Sequence, residues 1–227
     1  RGKSWGEPKA LPSPINKGCE NYPFIHPDGK TLYFASSRAG GMGRFDLYMS
    51  KKEQGGTWSN PLALFFLNTE LDDKFISMDA REHVVYYGLK KEETYDLYAT
   101  IVEGKYRADP LLKIRLRLMD ESGERVDGFL RIKHPGSQVD LVVRKINDSD
   151  YQTNIYLSGK GDYDFTIYGT NDDQFFFSEE FNLDSLERYK YVKRQIILAH
   201  IQKGKEYPLH LNFSRDSVLS AFSKEEL

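Results

Sequence analysis

The first 110 or so residues contain their own copy, and that repeat limits what the chain can become. Trp5-Gly6-Glu7-Pro8 returns as Trp58-Ser59-Asn60-Pro61, and Ile15-Asn16 returns as Leu67-Asn68. Phe24-Ile25-His26-Pro27-Asp28 aligns with Phe75-Ile76-Ser77-Met78-Asp79. Leu32-Tyr33-Phe34 aligns with Val85-Tyr86-Tyr87, and Phe45-Asp46-Leu47-Tyr48 with Tyr95-Asp96-Leu97-Tyr98. Each copy holds short aromatic and β-branched runs bounded by Gly, Pro, Asn or Asp, the pattern of strands joined by turns. A unit of about 50 residues with four short strands is a small sheet used more than once.

One propeller blade has that size. Asp28-Gly29-Lys30 reads as a hairpin turn whose glycine accepts a positive φ. Trp58 and Pro61 open the outermost strand, where a residue without an N–H is tolerated. The second copy is eroded: Ala80 stands where the turn glycine belongs, and Lys90-Lys91-Glu92-Glu93 replaces Gly40-Gly41-Met42-Gly43. From about residue 111 the repeat ends, yet the strand pattern continues. In Lys113-Ile114-Arg115-Leu116-Arg117-Leu118, Ile114, Leu116 and Leu118 face one way, as in a half-buried antiparallel strand. A helix is expected only in Leu183–Arg194, which carries the capping-box-like Asp184-Ser185-Leu186-Glu187, and after Ser223. The fold class expected is all-β: a partial β-propeller of about two blades, then a transthyretin- or Ig-like β-sandwich.

The run from Glu20 through Arg38, with Gly40-Gly41-Met42-Gly43-Arg44-Phe45-Asp46-Leu47-Tyr48, Trp58-Ser59-Asn60-Pro61 and Leu67-Asn68-Thr69, resembles the TolB-type β-propeller repeat. The strands and turns after Leu111, with Asp120-Glu121-Ser122-Gly123-Glu124, Gly161-Asp162-Tyr163 and Phe165-Thr166-Ile167-Tyr168-Gly169, resemble a carboxypeptidase-regulatory-like domain. Leu209–Phe213, followed by Ser217, Leu219, Ser223, Glu226 and Leu227, is similar to the opening of an OmpA-like domain. The expected division is 1–110, 111–204 and 205–227. In that order the pieces look like periplasmic, outer-membrane-associated proteins of type IX secretion and gliding machineries. The resemblance implies a scaffold that docks outer-membrane proteins, with a peptidoglycan link only through an OmpA-like domain that this sequence does not reach. The alternative is a glycan- or peptide-binding accessory region of a secreted hydrolase.

Composition removes several other functions. Lys and Arg total 32 against 34 Asp and Glu, a net charge of -2, which gives no general excess for gripping nucleic acid. No apolar run approaches the ~18 residues of a membrane span. The single Cys19 cannot form an internal disulfide, and Arg1 is followed by no apolar leader, so an export signal has been removed or was never included. A partly buried thiol is expected at Cys19.

Candidate chemistry is thin. Gly40-Gly41-Met42-Gly43 lacks the Gly-Lys-Ser/Thr of a phosphate loop and lies between strands, so it reads as a wide hairpin loop. The carboxylate pairs Asp72/Asp73, Asp162/Asp164 and Asp172/Asp173 sit among turn residues, poor places for a tuned acid–base couple. His26, His83, His134, His200 and His210 show no metal-ligand spacing. No catalytic residue, cofactor or metal is expected.

Two aromatic runs stand apart as contact surface: Phe65-Phe66 and Phe175-Phe176-Phe177. Three consecutive rings on one strand cannot all face inward. Two wedge-shaped sheets cannot close around an axis either, so the inter-blade faces lined by Tyr33, Phe34, Tyr86 and Tyr87 are expected to stay wet. Further blades upstream, or blades from other chains, would complete the ring.

Overall fold

The computed structural model describes residues 6–53, 55–79, 81, 84–102, 104–134, 140–146, 153–170 and 177–200. The chain is all-β and forms two compact units, Arg1–Leu111 and Leu112–Leu227. Among the described residues no helix is long and apolar enough to cross a membrane.

In the first unit, β1 (Glu20–Ile25), β2 (Thr31–Ser36), β3 (Asp46–Lys51) and β4 (Leu62–Ala63) make one sheet in that order. β5 (Asp73–Met78), β6 (Val84–Lys91) and β7 (Thr94–Ile101) make a second. All pairings in both sheets are antiparallel. The two sheets are the two copies of the sequence repeat, and the hydrogen bonds fix their correspondence. His26 N–H donates to Thr31 O, and Asp79 N–H donates to Val84 O, each at 2.8 Å. His26 therefore matches Asp79 and not Ser77. Tyr22 matches Phe75, and both take a positive φ (51° and 59°) at a bulge that breaks the register of β1 and β5 alike. A bulge adds one unpaired residue and re-aims its side chain, so Phe24 corresponds to Ser77 and not, as the sequence pattern suggests, to Phe75.

The sheets stack front to back. Tyr33, Ala35, Leu47 and Met49 on the front of the first sheet are buried against Ile76, Met78 and Val85 on the back of the second. The back of the first sheet, with Leu32, Phe34 and Tyr48, is covered by Ile15 and Trp58. Arg38 holds the segment preceding β1 in place: its guanidinium donates to Pro14 O at 3.3 Å and Ile15 O at 2.6 Å. The same group lies over the rings of Phe34 and Tyr48. Tyr33 (0% exposed) and Phe34 (2%) are therefore buried, contrary to the expectation that these faces stay wet.

The chain after β7 does not add a fourth strand to its own sheet. It runs back to the first one, where Tyr33 Oη donates to Tyr106 O (2.9 Å) and Lys51 Nζ meets Asp109 Oδ1 (2.7 Å). Asp109 N–H donates to Asp28 Oδ2 at 3.1 Å. Asp28 also accepts from the backbone of Lys30 and Thr31 and from the Thr31 hydroxyl. Gly29, at φ 69°, completes this turn.

The second unit is a sandwich of two sheets. One has the order β10 (Asp140–Ile146), β9 (Gly128–Lys133), β12 (Asp162–Gly169), β13 (Phe177–Asn182); the other has the order β11 (Thr153–Ser158), β8 (Leu111–Met119), β14 (Lys190–Ile197). The inward residues of β8, namely Leu112, Ile114, Leu116 and Leu118, meet Leu130, Ile132, Phe165 and Ile167 in one core. The alternation expected along β8 is present, but its partner β14 runs parallel, pairing Ile114 with Val192. The expected helix at 183–194 is instead one turn, Leu186 N–H to Leu183 O, followed by β14. Asp184 spends its carboxylate on Gly161 N–H (2.9 Å) rather than on a helix cap. The region after Ser223 lies outside the described residues.

Asp28 generates a prediction. Burial by itself pushes its carboxyl up, but the His26 imidazole, the Thr31 hydroxyl and two backbone N–H groups outweigh that and hold it well below its usual range. A carboxyl lowered on folding contributes stability that is complete above its unfolded pKa, about 4, and is lost as pH falls below that. Asp28→Ala should cost about 3 kcal/mol near neutral pH, because it strands several buried donors. In urea titrations at a series of pH values, the gap to wild type should narrow steadily below about pH 4.

Candidate docking surface

Among the described residues, the front of the second sheet has no sheet against it. Position by position it repeats the buried front of the first: Tyr86 stands where Tyr33 does, Gly88 where Ala35 does, Leu97 where Leu47 does, and Ala99 where Met49 does. The first-sheet residues are sealed, with Leu47 and Tyr33 at 0% exposure, whereas Leu97 is 81% and Tyr86 50% exposed. Ile101, opposite Val84, is 58% exposed and extends the row along β7. Phe75 lies across Gly88 on the same face, so closely that a Cβ at that glycine would press on its ring. Its ring meets Tyr22 at a tilt, 4.3 Å between centroids, and Tyr95 edge-on at 5.1 Å. The bulge thus turns an aromatic outward in both repeats.

Burying a side chain such as Leu97 is worth about 1.5–3 kcal/mol. A contiguous row of such residues on a rigid sheet is the feature that marks interaction sites on otherwise polar proteins. Beside it, among the described residues, β7 has no strand on its outer edge, whereas β3 has β4. An open edge adjoining an apolar face can take up a further strand or sheet.

The sequence-picked aromatics fall elsewhere. Leu64 and Leu67 point inward from a single turn, with Leu67 N–H donating to Leu64 O at 2.7 Å, so Phe65 and Phe66 between them point out. Phe65 is 55% and Phe66 44% exposed, the latter resting on Tyr106 at 4.9 Å. Phe177 is half-buried and packs on the sandwich core, while Phe175 and Phe176 lie outside the described residues. Tyr86 is exposed, as expected for an inter-blade face, but Leu97 and Ile101 beside it carry no mark in the sequence, where Leu97 aligns with the core residue Leu47.

The remaining candidates resolve into local structure. The Gly40-Gly41-Met42-Gly43 loop cradles the chain's own anion: the N–H groups of Met42 and Gly43 donate to the buried Asp46 carboxylate (3.0 and 3.3 Å). A Cβ at Gly41 would collide with that carboxylate, and one at Gly43 with Leu71 O. Asp73 does enter an apolar setting, contrary to the reading from its turn neighbours. It is 0% exposed, and burial pushes its carboxyl up, with bonds from Thr69 opposing and the charges of Asp46 and Asp72 adding to the rise. Its oxygens are occupied by Thr69 N–H and the Thr69 hydroxyl, at 2.6 and 3.0 Å. Asp164 on β12 is likewise pushed up by burial, opposed by Lys133. His26 is buried in the Asp28 turn, His134 meets Tyr163 edge-on, and His83 and His210 lie outside the described residues. Cys19 is exposed, not partly buried. Among the described residues no group of three or more His, Cys, Asp or Glu is placed to hold a metal ion.

No protein-family model matches this chain, and no curated protein matches it. Solved structures give distant likenesses. Phospholipase PlaB from Legionella pneumophila in complex with thio-NAD is similar at 14% identity and a TM-score of 0.35, over 62% of this chain and 35% of that one. A streptococcal ancillary pilin is similar at 8% identity and 0.31, over 69% and 51%. The pilus 2b backbone protein of group B streptococcus is similar at 11% identity and 0.32, over 82% and 97%. The chain spans about a third of the phospholipase and half of the ancillary pilin. Scores this low carry no functional argument.

If the front of the second sheet is an unsatisfied surface, Leu97→Asp should lower the fluorescence of an added hydrophobic dye while changing unfolding free energy by no more than about 0.5 kcal/mol. Leu47→Asp at the equivalent buried position should unfold the protein.

Proposed function

We propose that this protein is a non-enzymatic scaffold of the periplasm, whose first unit is part of a TolB-type β-propeller and docks outer-membrane proteins of a type IX secretion or gliding assembly. The observation that carries this reading is the front of the second sheet, a copy of a buried packing face left exposed. A repeat that stacks front to back always ends on such a face, and the end must be covered by another sheet or capped by a polar surface. Among the described residues it is neither polar nor covered, with Leu97, Tyr86 and Ile101 all exposed. The sandwich then serves as a spacer and second contact body. In this reading the peptidoglycan link belongs to the OmpA-like resemblance of Leu209–Phe213 and the residues after it, which lie outside the described residues.

The protein, immunoprecipitated from envelope extracts of its native host, should bring down outer-membrane proteins, and Leu97→Asp should abolish their recovery. Recovery of none, or recovery unaffected by Leu97→Asp, would contradict the reading.

A further inference from the structure

The sandwich carries a second surface of opposite character. On β8 the outward residues Lys113, Arg115 and Arg117 form a row along the central strand of the three-stranded sheet, successive charges standing about 6.6 Å apart. β14 sets Lys193 opposite Arg115 and Gln195 opposite Arg117. Like charges placed directly across a sheet repel, and among the described residues no acid is paired with them. β8, β11 and β14 contain no Asp or Glu, and none of the ion pairs between described residues involves these four cations. The lysines of β14 would suffice as guards of an edge strand, but β8 is not an edge. Its cations are half-buried between neighbours.

We propose that this outward face of the β11-β8-β14 sheet binds an acidic polysaccharide. Three features select that chemistry. A shallow depression lies between β8 and β14, lined by Arg115, Leu116, Arg117, Lys193, Arg194 and Gln195, wide enough for a carboxylate or other compact anion. Arg presents its planar donors to such a group in pairs. Next to it, Tyr156 and Tyr191 are 42% and 40% exposed, with Lys113 Nζ lying over both rings at 5.5 and 5.6 Å. The Arg115 guanidinium draws the Tyr191 phenol down from its ordinary value, with Lys193 and Lys113 adding to the effect. Ring faces beside cations, with the amides of Asn154 and Gln195, suit a polymer of flat, hydroxylated rings carrying one charge every ring or so.

Nucleic acid is a poorer match. It carries a charge for about every 1.7 Å of duplex and is held by many phosphate contacts at once, whereas this face has four cations on a chain of net charge -2. An acidic peptide would satisfy the cation row but leave the rings and amides without partners. The proposal is independent of the docking role of the first unit.

The test is titration calorimetry of the whole chain with polygalacturonate, neutral dextran, polyglutamate and oligothymidylate at 50 mM salt. Polygalacturonate should bind, and neutral dextran should not. Its affinity should fall with added salt, with a log–log slope of about -3 to -4 for the cations engaged. Arg115→Gln/Arg117→Gln should weaken it about tenfold or more, with an unchanged circular dichroism spectrum. The control Lys9→Gln/Lys52→Gln removes the same charge from the first unit and should leave affinity unaltered. Failure to bind polygalacturonate, equal loss in the control, or tighter binding of polyglutamate or oligothymidylate would overturn the proposal.

Discussion

Front-to-back stacking of two copies of one sheet is the constraint from which the first unit follows. Tyr33, Ala35, Leu47 and Met49 become core only because the back of the second sheet supplies Ile76, Met78 and Val85. The same repetition that builds this layer guarantees that its last face is made of core-type residues too. Tyr86, Leu97 and Ile101 are exposed by that logic and not by accident of composition. The first sheet escapes the problem at its other end because Arg38 holds the preceding segment over Leu32, Phe34 and Tyr48.

Polar groups buried in this unit do structural work of the same kind. Asp28 joins its own hairpin to Asp109, Asp46 fills the glycine loop, and Asn68 bonds both the N–H and the C=O of Leu47. Each satisfies backbone groups that a short sheet cannot satisfy by itself, which is the condition for burying them at all. Asp73, one of the paired carboxylates of the sequence, is occupied in the same way by the Thr69 N–H and hydroxyl.

Much of this was legible in the sequence, and the rest was hidden for identifiable reasons. The repeat, the Asp28-Gly29 turn, the outermost position after Trp58-Ser59-Asn60-Pro61 and the alternation along β8 depend on local pattern, which the sequence displays. The bulge at Tyr22 and Phe75 was invisible, because a positive φ at an aromatic residue leaves no compositional trace, and the alignment of β1 with β5 slipped by two residues. The helix expected at 183–194 failed because Asp184 bonds across to Gly161 while Tyr191, Lys193 and Gln195 alternate outward on a strand. The cation face needed topology: β8 displays its Lys and Arg residues plainly, but Lys193 and Tyr191 join them only through a parallel pairing that spans most of the second unit.

The central claim is that the front of the second sheet is covered in the working protein. It can be tested by replacing the sole cysteine, Cys19→Ser, introducing Leu97→Cys, and measuring the rate at which a membrane-permeant thiol reagent labels it. In purified protein labelling should be fast, and in the intact envelope of the native host it should be much slower, while a cysteine placed at the exposed Lys9 reacts equally in both. Equal rates for position 97 in the two settings would mean that the face stays open to solvent in the cell, and the account would be wrong.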